Sequence, residues 1–256
     1  MGDPLFDVRG KVALVTGASS GLGEHFARAL AARGAVVVAA ARREERLRSL
    51  VEGIAAAGGQ AHAQAMDVAD RGSVEAAMAR IVEEVGAPDI VVNNAGIAQA
   101  KPSVDLTEED WRAVMGTNLD GAWRVAQASA RAMIAAKKGG SIVNIASILG
   151  VRVATSLLAY TAAKAALIQA TRALALEWAR HGIRVNAIAP GYVETEINRG
   201  FFATEAGQAM VKRVPQRRIG TAAELEGALL LLASGASSYM TGSVIVVDGG
   251  HLVSSL

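Results

Sequence analysis

Short apolar runs alternate with longer amphipathic ones along this chain, and that alternation constrains its fold more than any other feature. "VALVTG" (Val12 to Gly17) reads as a buried strand, and "GLGEHFARALAARG" as a helix that stops at Gly34. The pattern repeats with "AVVVAAA", "REERLRSLVEGIAAAG", "AHAQAMDV", "SVEAAMARIVEEVG" and "DIVVNNAG". A long helical stretch runs from about Thr107 to Lys137, "SIVNIAS" is a fifth strand, and a helix carries Tyr160 to about His181. "IRVNAIAP" and "SVIVVDGG" complete the set. Near-continuous Val/Ile/Ala strands between helices predict an α/β fold, Rossmann-like and doubly wound, with one mostly parallel seven-stranded sheet covered on both faces. Such sheets bind ligands beyond the carboxyl ends of their strands. No repeat, linker or composition break divides the 256 residues, so a single domain over 1–256 is expected.

Bulk properties exclude several classes. No run reaches the ~18–20 apolar residues of a membrane span. The start, "MGDPLFDVRGK", lacks a basic region followed by an apolar one, so no signal peptide is read. The absence of cysteine removes disulfides, thiolate nucleophiles and zinc–cysteine sites, and fits a cytoplasmic, reducing location. A net charge of +2, with its basic pairs scattered, gives no footprint for nucleic acid. No His/Asp/Glu cluster has metal-ligand spacing, so no metal is expected. His25, His62, His181 and His251 read as packing, strand or segment-end residues.

Two stretches carry chemistry. "TGASSGLG" (Thr16 to Gly23) lies between the first strand and the first helix. Its three glycines let a ligand approach the backbone, and the helix start offers unpaired N–H groups and a positive dipole end. That is a place for a pyrophosphate, with Gly17, Ser19, Ser20, Gly21, Leu22 and Gly23 as candidate contacts. "AYTAAKAAL" puts Tyr160 and Lys164 one helical turn apart on the same side of a helix. A phenol of pKa ~10 is a poor base at neutral pH, and a nearby ammonium lowers that value.

Together with "NNAG" (Asn93 to Gly96), Asn118, Ser147 and "PGYVET" (Pro190 to Thr195), these motifs resemble the short-chain dehydrogenase/reductases in their compact single-domain form. The resemblance spans about Lys11 to Gly250. It implies a hydride transfer between a nicotinamide cofactor and a ketone or secondary alcohol. Tyr160 would act as acid/base, Lys164 would tune it and hold the nicotinamide ribose, and Ser147 would hydrogen-bond the substrate oxygen. Asn118 would hold a proton-relaying water. The resemblance also implies adenine contacts from Asp67 and Val68, and ribose-side contacts from Asn93, Ala95 and Gly96. Nicotinamide contacts would come from Pro190, Gly191, Val193 and Thr195, Thr195 also being a fair helix N-cap.

An NAD-preferring relative carries an aspartate at the second strand end. Here that place is Ala41, followed by Arg42 and Arg43, which suit a 2′-phosphate. NADP(H) is therefore the expected cofactor, with NAD(H) as a second; Ser20 stands where many NADP-preferring relatives place another basic residue. A lid is expected over about 194–215, in which Phe201 and Phe202 either cover an apolar substrate or pack the lid down. Arg152 either meets an acidic substrate or faces water, and water is favoured. A small or medium ketone or secondary alcohol is the favoured substrate. The alternatives are a 3-oxoacyl-acyl-carrier-protein reductase and a non-catalytic nucleotide-sensing protein. The resemblance also implies a homotetramer, paired through the helices around 107–137 and 155–181.

Overall fold

The structure, a computed structural model, describes residues 4–194 and 199–254, without the side chains of residues 199 and 201. Its frame is a seven-stranded parallel sheet: β1 (Val12–Thr16), β2 (Val36–Ala41), β3 (Gln60–Ala65), β4 (Ile90–Asn93), β5 (Gly140–Ile145), β6 (Ile183–Pro190) and β7 (Val244–Val247). The order across the sheet is β3-β2-β1-β4-β5-β6-β7, every pair parallel. The order reverses between β1 and β4, where a crevice opens beyond the strand ends.

The strands read as continuous apolar runs because both faces are buried. Successive side chains point to opposite faces. Ala13 and Val15 of β1 join one core with Val37 and Ala39 of β2, Ile90 and Val92 of β4 and Val143 of β5. Helices α1 (Gly21–Ala32), α2 (Glu44–Ala56) and α9 (Glu226–Ala233) cover that face through Phe26, Leu30, Leu47, Leu50 and Leu229. Leu14, Val38, Val91 and Ile142 point the other way. There α3 (Arg71–Glu84), α5 (Ala122–Ala135) and α6 (Leu158–Trp178) bring Met78, Ile81, Val125, Met133 and Ala175 against them.

The predicted helix over 107–137 is not continuous. α4 (Glu108–Met115) ends in one turn of π-helix over Gly116–Gly121 before α5 begins. The wider turn shifts the side-chain register, and Asn118 sits within it, fully buried. In the segment where a lid is expected, α7 (Arg199–Phe202) and α8 (Glu205–Val211) are short, and Thr204 caps α8 by accepting from the Gly207 amide.

Candidate active site

The β1–α1 turn is built by its glycines. Gly17 and Gly21 have φ of +67° and +58°. A Cβ at Gly17 would stand 2.8 Å from Ala95 Cα. One at Gly23 would stand 2.3 Å from the Gly17 carbonyl oxygen, so Gly23 packs the helix against its own loop rather than facing a ligand. Ser20 is the α1 N-cap residue, yet its side chain does not cap the helix. The first amides of α1 thus keep their hydrogen-bonding capacity for an anion.

A cavity of ≈ 400 Å³ opens over this turn. Gly17, Ser19, Ser20, Gly21 and Leu22 line it from the first strand end, Arg42 and Arg43 from the second, Asp67 and Val68 from the third, and Ala95 and Gly96 from the fourth. Arg43 reaches back over the turn, donating to Ser19 Oγ at 2.9 and 3.1 Å and to Ser20 Oγ at 2.8 Å. Arg42 is 73% exposed at its side chain and stands 4.0 Å from Asp67. Glycine corners, free helix amides and two cations beside a carboxylate fit the diphosphate and adenosine ends of a dinucleotide.

Asn93 does not line this cavity. It is buried in β4, where its amide donates to the Ala122 carbonyl at 3.0 Å and to Asn144 Oδ1 at 2.9 Å. Strand alternation turns it into the core and presents its neighbour instead. Asn94, which the sequence reading passed over, lines the cavity and donates to the Thr16 carbonyl at 3.0 Å, tying β4 to β1. Met66, Ile97 and Thr117 line it too, and no local pattern marks them. Pro190 ends β6, and the Gly191 amide bonds the Val247 carbonyl. A Cβ on Gly191 would meet Asp248 Cβ at 2.7 Å. Val193 is buried and bridges Gly220. Thr195 and the side chain of Phe201 lie outside the described residues.

Ser147, Tyr160, Lys164 and Asn118 converge at the ends of β4 and β5. Ser147 stands two residues beyond β5, and its hydroxyl accepts from the Leu149 amide at 3.1 Å. Burial pushes the Tyr160 phenol up, and a hydrogen bond with the Ser147 side chain pulls it partly back. Lys164 is 4% exposed, and burial brings its ammonium down to about 8. The ammonium donates to the Ile145 carbonyl at 2.7 Å and stands 5.6 Å from the Tyr160 ring centre. Burial therefore sets the direction for Tyr160, and the opposing pull comes from Ser147 rather than from the expected Lys164. Asn118 clamps the chain after β4, accepting from the Ile97 amide and donating to the Ile97 carbonyl, both at 2.8 Å. A Cβ on Gly96 would lie 3.3 Å from Asn118 Oδ1 and 3.7 Å from Lys164 Nζ, so Asn118 and Lys164 face one small space.

Arg152 is half-buried and lines a cavity rather than standing free in water. Its guanidinium donates to the His251 carbonyl and, at 3.0 Å, to Ser254 Oγ, pinning the tail of the chain. Phe202 is buried, edge-on to Tyr192 at 5.7 Å between ring centres.

A crevice of this kind beside a Ser–Tyr–Lys group belongs to the nucleotide-linked oxidoreductases, and the comparisons with known proteins narrow the class. A family model described as enoyl-(acyl carrier protein) reductase matches residues 17–251. Gluconate 5-dehydrogenase of Gluconobacter oxydans is 41% identical over 98% of each chain. A 3-oxoacyl-[acyl-carrier-protein] reductase of Thermotoga maritima is 38% identical, covering 96% of this chain and 99% of its own. A gluconate 5-dehydrogenase from Burkholderia cenocepacia, solved in complex with NADP and tartrate, superposes with a TM-score of 0.94 at 40% identity, over 98% of this chain and 99% of that one. The chain belongs to the short-chain dehydrogenase/reductase family and is an oxidoreductase acting on a CH–OH or ketone group.

Proposed function

We propose that the chain is an NADP(H)-preferring oxidoreductase that interconverts a small ketone and its secondary alcohol, with NAD(H) as a weaker substitute. The observation that carries this reading is the meeting of Ser147, Tyr160 and Lys164 beside a glycine-cornered crevice that Arg43 overhangs. When bound, the nicotinamide supplies or takes the hydride.

The protein's own part is the proton and the geometry. Ser147 donates to the substrate oxygen and stabilises the charge that grows there. Tyr160, kept protonated by burial, gives its proton to that oxygen in reduction and takes it back in oxidation. Lys164 holds positive charge beneath the phenol, fixed by the Ile145 carbonyl. Asn118, through its clamp on Ile97, keeps the floor of the site in place for proton exchange with water. Arg43 and Arg42 receive the 2′-phosphate, and Asp67 and Val68 flank the adenine end. One continuous sheet supports reading residues 1–256 as a single domain. Among the described residues no helix is long and apolar enough to cross a membrane. A cytoplasmic homotetramer remains the assembly we infer from the family.

A second reading, reduction of 3-oxoacyl-carrier thioesters, is favoured by the 38% identity to the Thermotoga maritima reductase. One assay separates the two. NADPH and NADH consumption is followed in parallel with neutral ketones, keto acids and acetoacetyl thioesters, and alcohol oxidation is followed with NADP⁺. Preference for NADPH with a free ketone supports the first reading, and turnover confined to the thioester supports the second. Silence in both directions with every substrate class overturns both.

A further inference from the structure

A second cavity, of ≈ 940 Å³, is lined by Ile148 and Leu149, the residues directly after Ser147. Leu149 and Arg152, which follow Ser147, form one side, and Tyr192, which follows Gly191, forms another. Arg213 lines it from the segment after α8, and His251 and Ser254 line it from the tail of the chain. Among the described residues, Arg152, Lys212, Arg213 and Arg217 form no ion pair with a carboxylate. Arg152 has only neutral partners, the His251 carbonyl and the Ser254 hydroxyl. The Arg213 side chain makes no hydrogen bond or ion pair among the described residues. Lys212 and Arg217 stand on the same rim. The carboxylate of Asp248, the acid that acts on His251, is already engaged by the amides of Gly250 at 2.8 Å and Leu252 at 2.5 Å.

Between these cations lies an aromatic wall. The rings of Tyr192 and His251 are 5.2 Å apart, and the charges of Arg152 and Arg213 act on both. His251 Nδ1 is buried without a hydrogen-bond partner. Like charges gathered on a half-enclosed wall repel one another, and an anion between them reverses the sign of that interaction. A guanidinium fork matches a carboxylate in shape as well as charge.

We propose that Arg213 and Arg152, with His251, form an anion subsite that binds the carboxylate of a hydroxy- or keto-acid substrate. The chain then selects such acids over neutral ketones and polyols of the same skeleton. Arg213 acts by direct contact. Arg152 acts both by contact and by holding the tail as the far wall. The inference rests on the reading of the Tyr160 site as a ketone/alcohol centre.

Calorimetric titration of the protein saturated with NADP⁺ tests it. Two matched pairs serve as probes, tartrate with threitol and gluconate with glucitol, and inorganic phosphate is the control anion. At least one acid binds about tenfold or more tighter than its polyol, and Arg213→Gln removes most of that difference. Arg152→Gln does the same. Arg213 is exposed, so its substitution leaves the folded core intact. Equal binding of acid and polyol overturns the proposal, as does the absence of binding by either acid. Unchanged acid affinity in Arg213→Gln, or phosphate binding as tight as the acids, also overturns it. Failure to bind NADP⁺ overturns the underlying cofactor reading instead, and the same acid titrations on the protein alone still decide the subsite.

Discussion

Arg43, two residues beyond β2, places its guanidinium 2.8 Å from Ser20 Oγ at the start of α1, twenty-three residues earlier in the chain. The contact spans the crevice that the switch in strand order creates. It explains how a chain with serine, not a basic residue, in its glycine turn still carries a cation there.

This geometry ranks the two arginines. Arg43→Ala weakens NADPH binding by about tenfold or more, the scale of a charge-assisted hydrogen bond, and changes NADH binding little. Arg42→Ala, whose side chain is exposed and faces Asp67 rather than the glycine turn, has the smaller effect. Fluorescence titration of both variants with both cofactors checks the order. Equal weakening of NADPH and NADH by Arg43→Ala removes the basis of the NADP(H) assignment.

Tyr160 carries a pH signature. Its phenol is raised by burial, so the proton donor needed for reduction is present throughout the neutral range and is lost only at alkaline pH. Ketone reduction is therefore flat through neutral pH, and alcohol oxidation, which needs the phenolate, climbs as pH rises. Tyr160→Phe lowers turnover on the order of 10²–10⁴-fold while cofactor still binds. Near-normal turnover in that variant would show that another group moves the proton.

Lys164 trades stability for function. Its folded value of about 8 lies below its ordinary 10.5. Between those values the unfolded chain binds more protons, so stability rises with pH across that window. The cost is fully present below about pH 8 and is relieved on the way to 10.5. Lys164→Met thus abolishes activity yet raises stability at pH 7 by up to about 3 kcal/mol, less about 1 for the lost bond to Ile145. That gain shrinks towards pH 10. Melting curves of both proteins at the two pH values test the sign; a variant that is less stable at pH 7 contradicts it.

Gly23 is a packing glycine. A methyl group there would sit 2.3 Å from the Gly17 carbonyl oxygen, a backbone atom that cannot swing away. Gly23→Ala forces α1 off the turn, weakening NADP⁺ binding and lowering stability by about 1–3 kcal/mol. Urea unfolding with and without NADP⁺ measures both effects, and a variant that matches wild type in both places the turn's tolerance elsewhere.

The sequence by itself determined what depends on neighbours along the chain. Apolar runs fixed the strands because both sheet faces are buried, so Leu14 and Val15 are both apolar though they enter different cores. Spacing put Tyr160 and Lys164 on one side of α6, and the glycines of "TGASSGLG" marked the turn. Tertiary structure alone decided where side chains from distant segments go. It turned Asn93 into the core and Asn94 to the crevice, and laid Arg43 on Ser19 and Ser20. It set Asn118 on a π-turn against Ile97, and tied Arg152 to a tail 99 residues away. Periodicity reports which face is apolar. The partner a polar side chain finds on that face is chosen by chain crossings and close packing, which no local window contains.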